Sequence, residues 1–383
     1  MSTIAFLNIG MHGRVNPTLP IVAELVRRGH TVSYHTSATF RDELEAAGAT
    51  VHLYPGGDLS IPDPPTPPRL VAALAAMAVR VLPAVLRDLR GGRPELIVHD
   101  SACPWGAIAA RELGVPAVSS FTTFAFNRQV PSPTADMRAL FAPGYLRSRW
   151  ALRRRHRTGG LPAVDLGNLR QPLNLVFTSR AFQIGELDDS YRLVGPSVGA
   201  RPPAGSFPLD QLRDPVLYAS LGTVFSADPR LLGAFATALA PLGGTVVVAT
   251  GQTEPAVLGE LPPNVIARRS VPQPEILDRA ALFVTHGGMN SANEALLAGV
   301  PMLVVPQGAD QPLVAARVAG LGAGLSLASG EVTSEAVRAL ARRLLDEPRF
   351  RAAAATLQAA QREAGGYRRA ADELERYAKT AVR

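Results

Sequence analysis

Hydrophobic and polar positions along this chain follow two alternating periods. Short apolar runs bounded by glycine, proline and small polar residues read as buried strands at Ile4–Ile9, Thr31–His35, Val51–Tyr54, Leu96–Val98 and Ala117–Ser119. Between them the period lengthens to that of a helix. Asn16-Pro17 reads as a cap followed by proline at the first helical position, Leu19, Val22, Ala23 and Val26 follow at helical spacing, and Gly29 ends the run. Phe40–Ala47 reads as a helix stopped by Gly48, and Trp105–Leu113 as one ended by Gly114. Leu70–Leu89 is helical with Pro83 inside it, where a kink or break is expected. Strands separated by helices predict parallel β-α units and a doubly wound sheet.

Pro131–Gly160 breaks this rhythm, being arginine-rich without clean periodicity. Short strands return at Leu173–Phe177 and Arg192–Val194. Arg201–Pro208 then holds three prolines and a glycine and reads as a linker. A second alternation follows. It has strands at Val216–Ser220, Thr245–Ala249, Val265–Ala267, Leu282–Thr285 and Met302–Val305. Its helices are expected at Leu231–Leu239, Ser291–Leu297, Pro312–Val318, Ser334–Leu345, Arg349–Glu363 and Tyr367–Ala381. The pattern thus predicts two α/β halves, 1–200 and 209–366, joined by the linker 201–208 and followed by a helix over 367–383. Ligands of such sheets sit at the carboxyl ends of the strands, and a cleft between two halves is the natural site.

Composition narrows the picture. Of 383 residues, 47% are hydrophobic and 19% charged, enough for sizeable cores and too apolar for wholesale disorder. The single cysteine, Cys103, excludes an intramolecular disulfide framework and a Cys-based zinc site, and suits a reducing cytoplasm. The start of the chain shows no charged n-region or cleavage pattern. No uncharged apolar run reaches about 18 residues. Leu70–Leu82 comes closest and Arg80 interrupts it, so neither a spanning helix nor stable membrane insertion is expected. The net charge of +7 is concentrated at Arg147–Arg157, with aromatics at only 6% and no stacking series beside it. That favours a solvated face over nucleic-acid binding.

The most informative stretch is Thr285-His-Gly-Gly-Met-Asn-Ser291, which follows an apolar strand and opens a helix. Gly287 and Gly288 carry no Cβ, so backbone N–H groups can approach a ligand closely. Asn290 and Ser291 sit where unpaired N–H groups and the helix dipole favour an anion such as phosphate. Glu294 lies one turn deeper on the same face, where a carboxylate can accept hydrogen bonds from vicinal hydroxyls such as those of a ribose. Across the chain, His12 stands in a loop at a strand's carboxyl end. An imidazole there can take a proton near neutral pH. Asp100 follows the strand Leu96–Val98. No D-x-D triplet and no His/Asp/Glu cluster of metal spacing occurs. No G-x-G-x-x-G follows the first strand, which disfavours a nicotinamide enzyme.

Three runs carry a resemblance: Ser270-Val-Pro-Gln-Pro-Glu-Ile-Leu277, Phe283–Pro301 and Val305-Pro-Gln-Gly-Ala-Asp-Gln311. Together they resemble the nucleotide-sugar signature of family 1 glycosyltransferases with the GT-B fold, and most closely the actinobacterial macrolide glycosyltransferase group. Asn8–Pro20 and Gly29-His-Thr-Val32 fit the same group, so the likeness covers nearly the whole chain. It implies two Rossmann-like, doubly wound parallel-sheet domains facing across a cleft, with the last helix packing back on the N-terminal one. In such an enzyme His286, Gly287, Gly288, Asn290 and Ser291 would hold a diphosphate and Glu294 the ribose. Asp310 and Gln311 would bind the hexose. Gln273, through its backbone and with Val271 beside it, would meet the base. Ser220-Leu-Gly222-Thr223 would face the diphosphate from the other side. His12 would be the general base, held by Asp100, and attack would invert the anomeric carbon. Met77, Phe121, Phe124, Phe126 and Phe141 are candidates for an apolar acceptor lining.

The expected activity is metal-independent transfer of a hexose, glucose first, from UDP-glucose or a TDP-sugar to a hydroxyl of a lipophilic natural product. The acting form would be a monomer or homodimer. Two departures stand out. Ser270 replaces a Trp that relatives stack on uracil, which keeps a TDP-deoxysugar open, and Arg14 stands where relatives usually have His. A nucleotide-sugar epimerase, a non-catalytic binding helper and a lipid glycosyltransferase at a membrane surface are the competing readings.

Overall fold

The computed structural model describes residues 1–62, 66–132, 143–158, 165–199, 207–222 and 228–381. The chain forms two compact units: Met1–Thr178 with Gln183–Gly199 and Gly365–Arg383, and Ser179–Phe182 with Ala200–Ala364. Of the expected linker, only Phe207 and Pro208 lie among the described residues.

The first unit runs β1 (Thr3–Leu7), α1 (His12–Val15), α2 (Leu19–Arg27), β2 (Thr31–Thr36), α3 (Arg41–Ala46), β3 (Thr50–Leu53), α4 (Pro67–Gly92) and β4 (Leu96–Asp100). It continues through α5 (Pro104–Leu113), β5 (Ala117–Phe121), α6 (Pro143–Arg155), β6 (Leu173–Val176) and β7 (Tyr191–Leu193). Its seven strands are all parallel, in the order β3-β2-β1-β4-β5-β6-β7. Apolar side chains leave both faces of the sheet, as parallel strands require. One face packs on α4 and α5 through residues such as Leu74, Ala78, Val81, Trp105 and Ile108. The other packs on α2 through Ile21, Val22 and Leu25.

Three local expectations change. Asn16 is not an N-cap: it closes the turn α1, its N–H donating to the His12 carbonyl, and α2 starts after Thr18 with Pro20 in its first turn. Pro83 sits inside α4 without ending it. The arginine-rich segment forms α6, whose Tyr145 and Leu152 are buried while Trp150 is exposed. Among the described residues one stretch of α4, Pro68–Gly92, is by length and composition apolar enough to cross a membrane even with Arg80 in it. Its apolar positions, from Val71 to Leu89, are part of the core of this unit.

The second unit contains β8 (Val216–Ser220), α7 (Pro229–Leu239), β9 (Thr245–Ala249), β10 (Val265–Arg268), α8 (Gln273–Leu277), β11 (Ala280–Thr285), α9 (Met289–Ala298) and β12 (Met302–Val304). Then come α10 (Gln311–Gly320), β13 (Gly324–Ser326), α11 (Ser334–Asp346) and α12 (Pro348–Glu363). The six strands are parallel in the order β10-β9-β8-β11-β12-β13. Asp228 and Thr333 cap α7 and α11 by accepting from the N–H groups of Arg230 and Ala336. The last helix, α13 (Gly366–Ala381), belongs to the first unit: it packs on α2 with Ala370, Ala371, Leu374 and Ala378 in the core. Arg28 joins it through Asp372 at 2.7 Å and Glu375 at 3.0 Å.

Both strand orders place a topological switch. In the first sheet the chain builds outward from β1 to β3 and returns on the other side at β4. In the second it builds from β8 to β10 and returns at β11. Loops leaving the carboxyl ends of β1 and β4, and of β8 and β11, therefore diverge and leave room for a ligand.

Candidate active site

At the switch of the first sheet, Asp100 ends β4 with its carboxylate fully buried. A buried carboxylate needs hydrogen bonds and a countercharge. The Ala102 N–H donates to Oδ1 at 2.8 Å, and Arg14 Nη1 donates to Oδ2 at 3.1 Å and Oδ1 at 3.3 Å. His12 is exposed, and its ring meets Phe40 edge-on with centroids 4.9 Å apart. Among the described residues His12 forms no hydrogen bond with Asp100. The expected histidine–carboxylate pair is therefore replaced by an arginine–carboxylate pair. The reason is local: His12 lies in the turn α1, and residues two apart on a helical turn point different ways.

The turn is held from below. Asn8 Nδ2 donates to the Arg14 carbonyl at 3.1 Å and to the Tyr34 hydroxyl at 2.6 Å. The Thr18 hydroxyl lies 2.6 Å from that of Tyr34 and donates to the Val15 carbonyl at 2.8 Å. Burial pushes the Tyr34 phenol up, so it stays neutral. Asn8, Thr18 and Tyr34 carried no role in the sequence reading. Their only signal there is a set of polar side chains at the edge of apolar runs.

The acceptor candidates are mostly core. Met77, Phe121 and Phe124 are buried, and Phe121 packs against Phe126 and Tyr191. Phe126 is partly exposed, and Phe141 lies outside the described residues. An aromatic run near a strand end reads the same whether it fills a core or lines a pocket, which is why the sequence did not separate them.

At the switch of the second sheet, Thr285 pairs with Ser220 and Val304, so the loops after β8, β11 and β12 start level. The His286 ring lies between two glycines. A Cβ on Gly222 would stand 2.6 Å from its Cε1, and one on Gly288 2.4 Å from its Nε2. Gly287 has φ +82°, and a Cβ there would stand 2.6 Å from Val304 Cγ1. The glycines thus make room for an imidazole and a strand as well as for close backbone approach. Burial lowers the His286 pKa to about 4, with the Ser220 backbone pulling the other way, so the ring is neutral at pH 7. Its Nδ1 is buried without a partner among the described residues. The helix α9 begins at Met289, two residues earlier than expected, so Asn290 and Ser291 lie in its first turn beside N–H groups with no intrahelical acceptor.

Glu294 is buried beneath that turn and tied down. Gln273 Nε2 donates to Glu294 Oε2 at 2.7 Å and to Ser291 Oγ at 3.3 Å, while Tyr218 donates to Gln273 Oε1 at 2.9 Å. The Gln273 side chain is therefore a brace for the carboxylate, a role the reading of its backbone missed. Asp310 stands at the N-cap position of α10 without capping it. Gln311 is buried, and its Oε1 accepts from the N–H groups of Gln307 at 2.7 Å and Gly308 at 3.1 Å, so that oxygen holds its own loop. Val271 is partly exposed and Ser270 exposed, while Thr223 lies outside the described residues. Among the described residues no three His, Cys, Asp or Glu are grouped to hold a metal ion.

A family model described as the C-terminal domain of erythromycin biosynthesis protein CIII-like proteins matches residues 234–365. An NDP-glycosyltransferase of Bacillus subtilis, YjiC, is 33% identical over 99% of this chain and 98% of its own. The oleandomycin glycosyltransferase of Streptomyces antibioticus is 32% identical over 97% of this chain and 90% of its own. Among solved structures, the kitacinnamycin glycosyltransferase superposes with a TM-score of 0.86 at 29% identity, covering 98% of each chain. The calicheamicin glycosyltransferase CalG4 does so with 0.77 at 30%, covering 100% of each. Two parallel sheets and a glycine-flanked helix tip on the second are, with these likenesses, the GT-B glycosyltransferase fold. The chain belongs to family 1 of these enzymes, in the macrolide and natural-product group.

Proposed function

We propose that this enzyme transfers a hexose, glucose first, from a nucleoside diphosphate sugar to a hydroxyl of a lipophilic natural product, with inversion and without a metal ion. The observation that carries this reading is the tip of α9. Glycine-flanked N–H groups, a neutral imidazole with a free buried nitrogen, and a braced carboxylate one turn below match a diphosphate followed by a ribose. The helix dipole and amides would take up the charge that develops on the departing diphosphate. Asp310 would meet the hexose, and His12 would take the proton of the attacking hydroxyl. Ser270 is exposed and stands where the family resemblance expects a stacking Trp, which leaves room for a second donor class, the TDP-deoxysugars.

The test is a donor panel read by thermal shift, followed by acceptor screening by mass spectrometry with the best donor in the presence of EDTA. Release of nucleoside diphosphate that depends on acceptor and survives EDTA is expected. Donor turnover without acceptor would favour epimerisation instead. His12→Ala is expected to lower kcat by about 10²–10⁴, the usual contribution of a general base. A rate within a few-fold of wild type would remove His12 from that role.

A further inference from the structure

Asp100 and Arg14 change what the acceptor site can do. In a histidine–carboxylate pair, the carboxylate stabilises the imidazolium that forms when a hydroxyl gives up its proton. Here that charge is taken: both Asp100 oxygens are bonded to Arg14 Nη1, and a third hydrogen bond comes from the Ala102 N–H. The Arg14 side chain is about one-quarter exposed at 23%, and the bonds to Asp100 use only Nη1, so Nε and Nη2 bond no described residue. Arg14 is held at its backbone by Asn8, so this arrangement is built in rather than a loose surface contact. The first switch point therefore presents a cation held on a buried carboxylate, two residues along the same turn from an imidazole that bonds no carboxylate among the described residues.

Such a site handles nucleophiles unequally. A guanidinium cannot accept a proton. An aliphatic hydroxyl, about as acidic as water at roughly 15.7, depends on a strong base. A phenol near 10 or a carboxylic acid near 4 gives up its proton far more readily. The resulting oxyanion is what a guanidinium binds best. We propose that Arg14 is a specificity-determining residue that selects acceptors whose attacking oxygen is acidic, a phenol, enol or carboxylic acid, over aliphatic alcohols. This rests on the glycosyl-transfer reading above. In the step, the acceptor O–H proton passes to His12 or is already in solvent. The oxygen lone pair forms the bond to the anomeric carbon as the bond to the diphosphate oxygen breaks, and the diphosphate leaves with that electron pair.

The experiment uses one ring system with three groups: 2-naphthol, 2-naphthoic acid and 2-naphthylmethanol. With the best donor, naphthol is expected to exceed naphthylmethanol in kcat/KM by about a hundredfold, the scale of a general base's contribution. Arg14→Gln should erase most of that ratio with the donor KM unchanged, and Arg14→Lys, which keeps the charge, should restore part of it. Binding of naphthoate, measured by calorimetry without donor, should weaken about tenfold in Arg14→Gln while binding of naphthylmethanol stays put. The double variant Arg14→Gln/Asp100→Asn, which leaves no unpaired buried charge, guards against misfolding and should show the same loss of preference. Turnover of naphthylmethanol within a few-fold of naphthol, or a ratio indifferent to Arg14, overturns the proposal. So does unchanged naphthoate binding in both variants. If no donor is turned over with any acceptor, the glycosyl-transfer reading fails, and the naphthoate arm still decides whether Arg14 binds an anion.

Discussion

Gly288→Ala isolates the contact that shapes the loop before α9. Gly288 has φ −60° and ψ 137°, which any residue adopts, so the substitution strains no backbone. Its Cβ would meet three atoms of one ring: His286 Nε2 at 2.4 Å, Cε1 at 2.9 Å and Cδ2 at 3.4 Å. Ordinary contacts begin near 3.4 Å, so the imidazole must move by roughly an ångström, far enough to break a hydrogen bond. Overpacking of this kind costs about 1–3 kcal/mol, or about 3–10 °C in the melting of a unit this size. If His286 holds the diphosphate as proposed, a displaced imidazole also forfeits that bond, worth about 1.5–3 kcal/mol for a charged partner and so roughly ten- to a hundredfold in donor affinity. Melting by calorimetry and titration with UDP and TDP measure the two effects. The control is the same substitution in His286→Ala, where the obstructing ring is gone and Gly288→Ala should become nearly neutral in both assays. Equal losses with and without the ring would refute the reasoning, because the harm would then not pass through His286. Gly222→Ala meets the same ring at 2.6 Å and adds left-handed strain at φ +79°. It should be worse by about 1–2 kcal/mol, a difference that His286→Ala does not remove.

Further outcomes follow from the same contacts. Burial lowers the pKa of His35 to about 3 and of His286 to about 4, and lowers that of His99. The unfolded chain therefore takes up protons first as pH falls through about 6.5, and each such group removes up to about 1.4 kcal/mol per pH unit. Stability should be level above pH 7 and decline from about 6.5 towards 4, as read by denaturant midpoints across pH; a midpoint constant over that range would contradict the burial. Glu294→Gln is expected to weaken donor binding about tenfold through the lost charge-assisted bonds to vicinal hydroxyls, with less effect on a 2′,3′-dideoxy nucleotide. Ser270→Trp should tighten UDP binding by about 1–3 kcal/mol if the exposed position borders the base; no change in calorimetry would place the base elsewhere.

Much of the architecture was legible because parallel strands buried on both faces leave continuous apolar runs, and each was bounded by a glycine or proline. The loop between β11 and α9 was legible for the same reason: a strand, two glycines and a polar helix start are contiguous. What escaped was held by distance in sequence. Arg14 and Asp100 lie 86 residues apart, and Gln273 and Glu294 lie 21 apart. Neither pair has a periodic signature. The helix α6 hid behind its arginines, since only Tyr145 and Leu152 are buried in it, too few to set a period. The strand β13 has three residues and opens on Gly324, which reads as a turn until Met302 is seen beside it.

The last described helix has a bearing on how such enzymes are recombined. Because α13 lays Ala370, Leu374 and Ala378 into the same core as Ile4 and Val22, the first unit is finished only by a helix that follows the whole second unit in sequence. A hybrid spliced once, mid-chain, would carry a stranger's helix against Arg28 and His30, which reach Asp372 and Glu375. Exchanging the second unit between relatives therefore calls for two seams, one before β8 and one between α12 and α13, so that the first unit keeps its own closing helix.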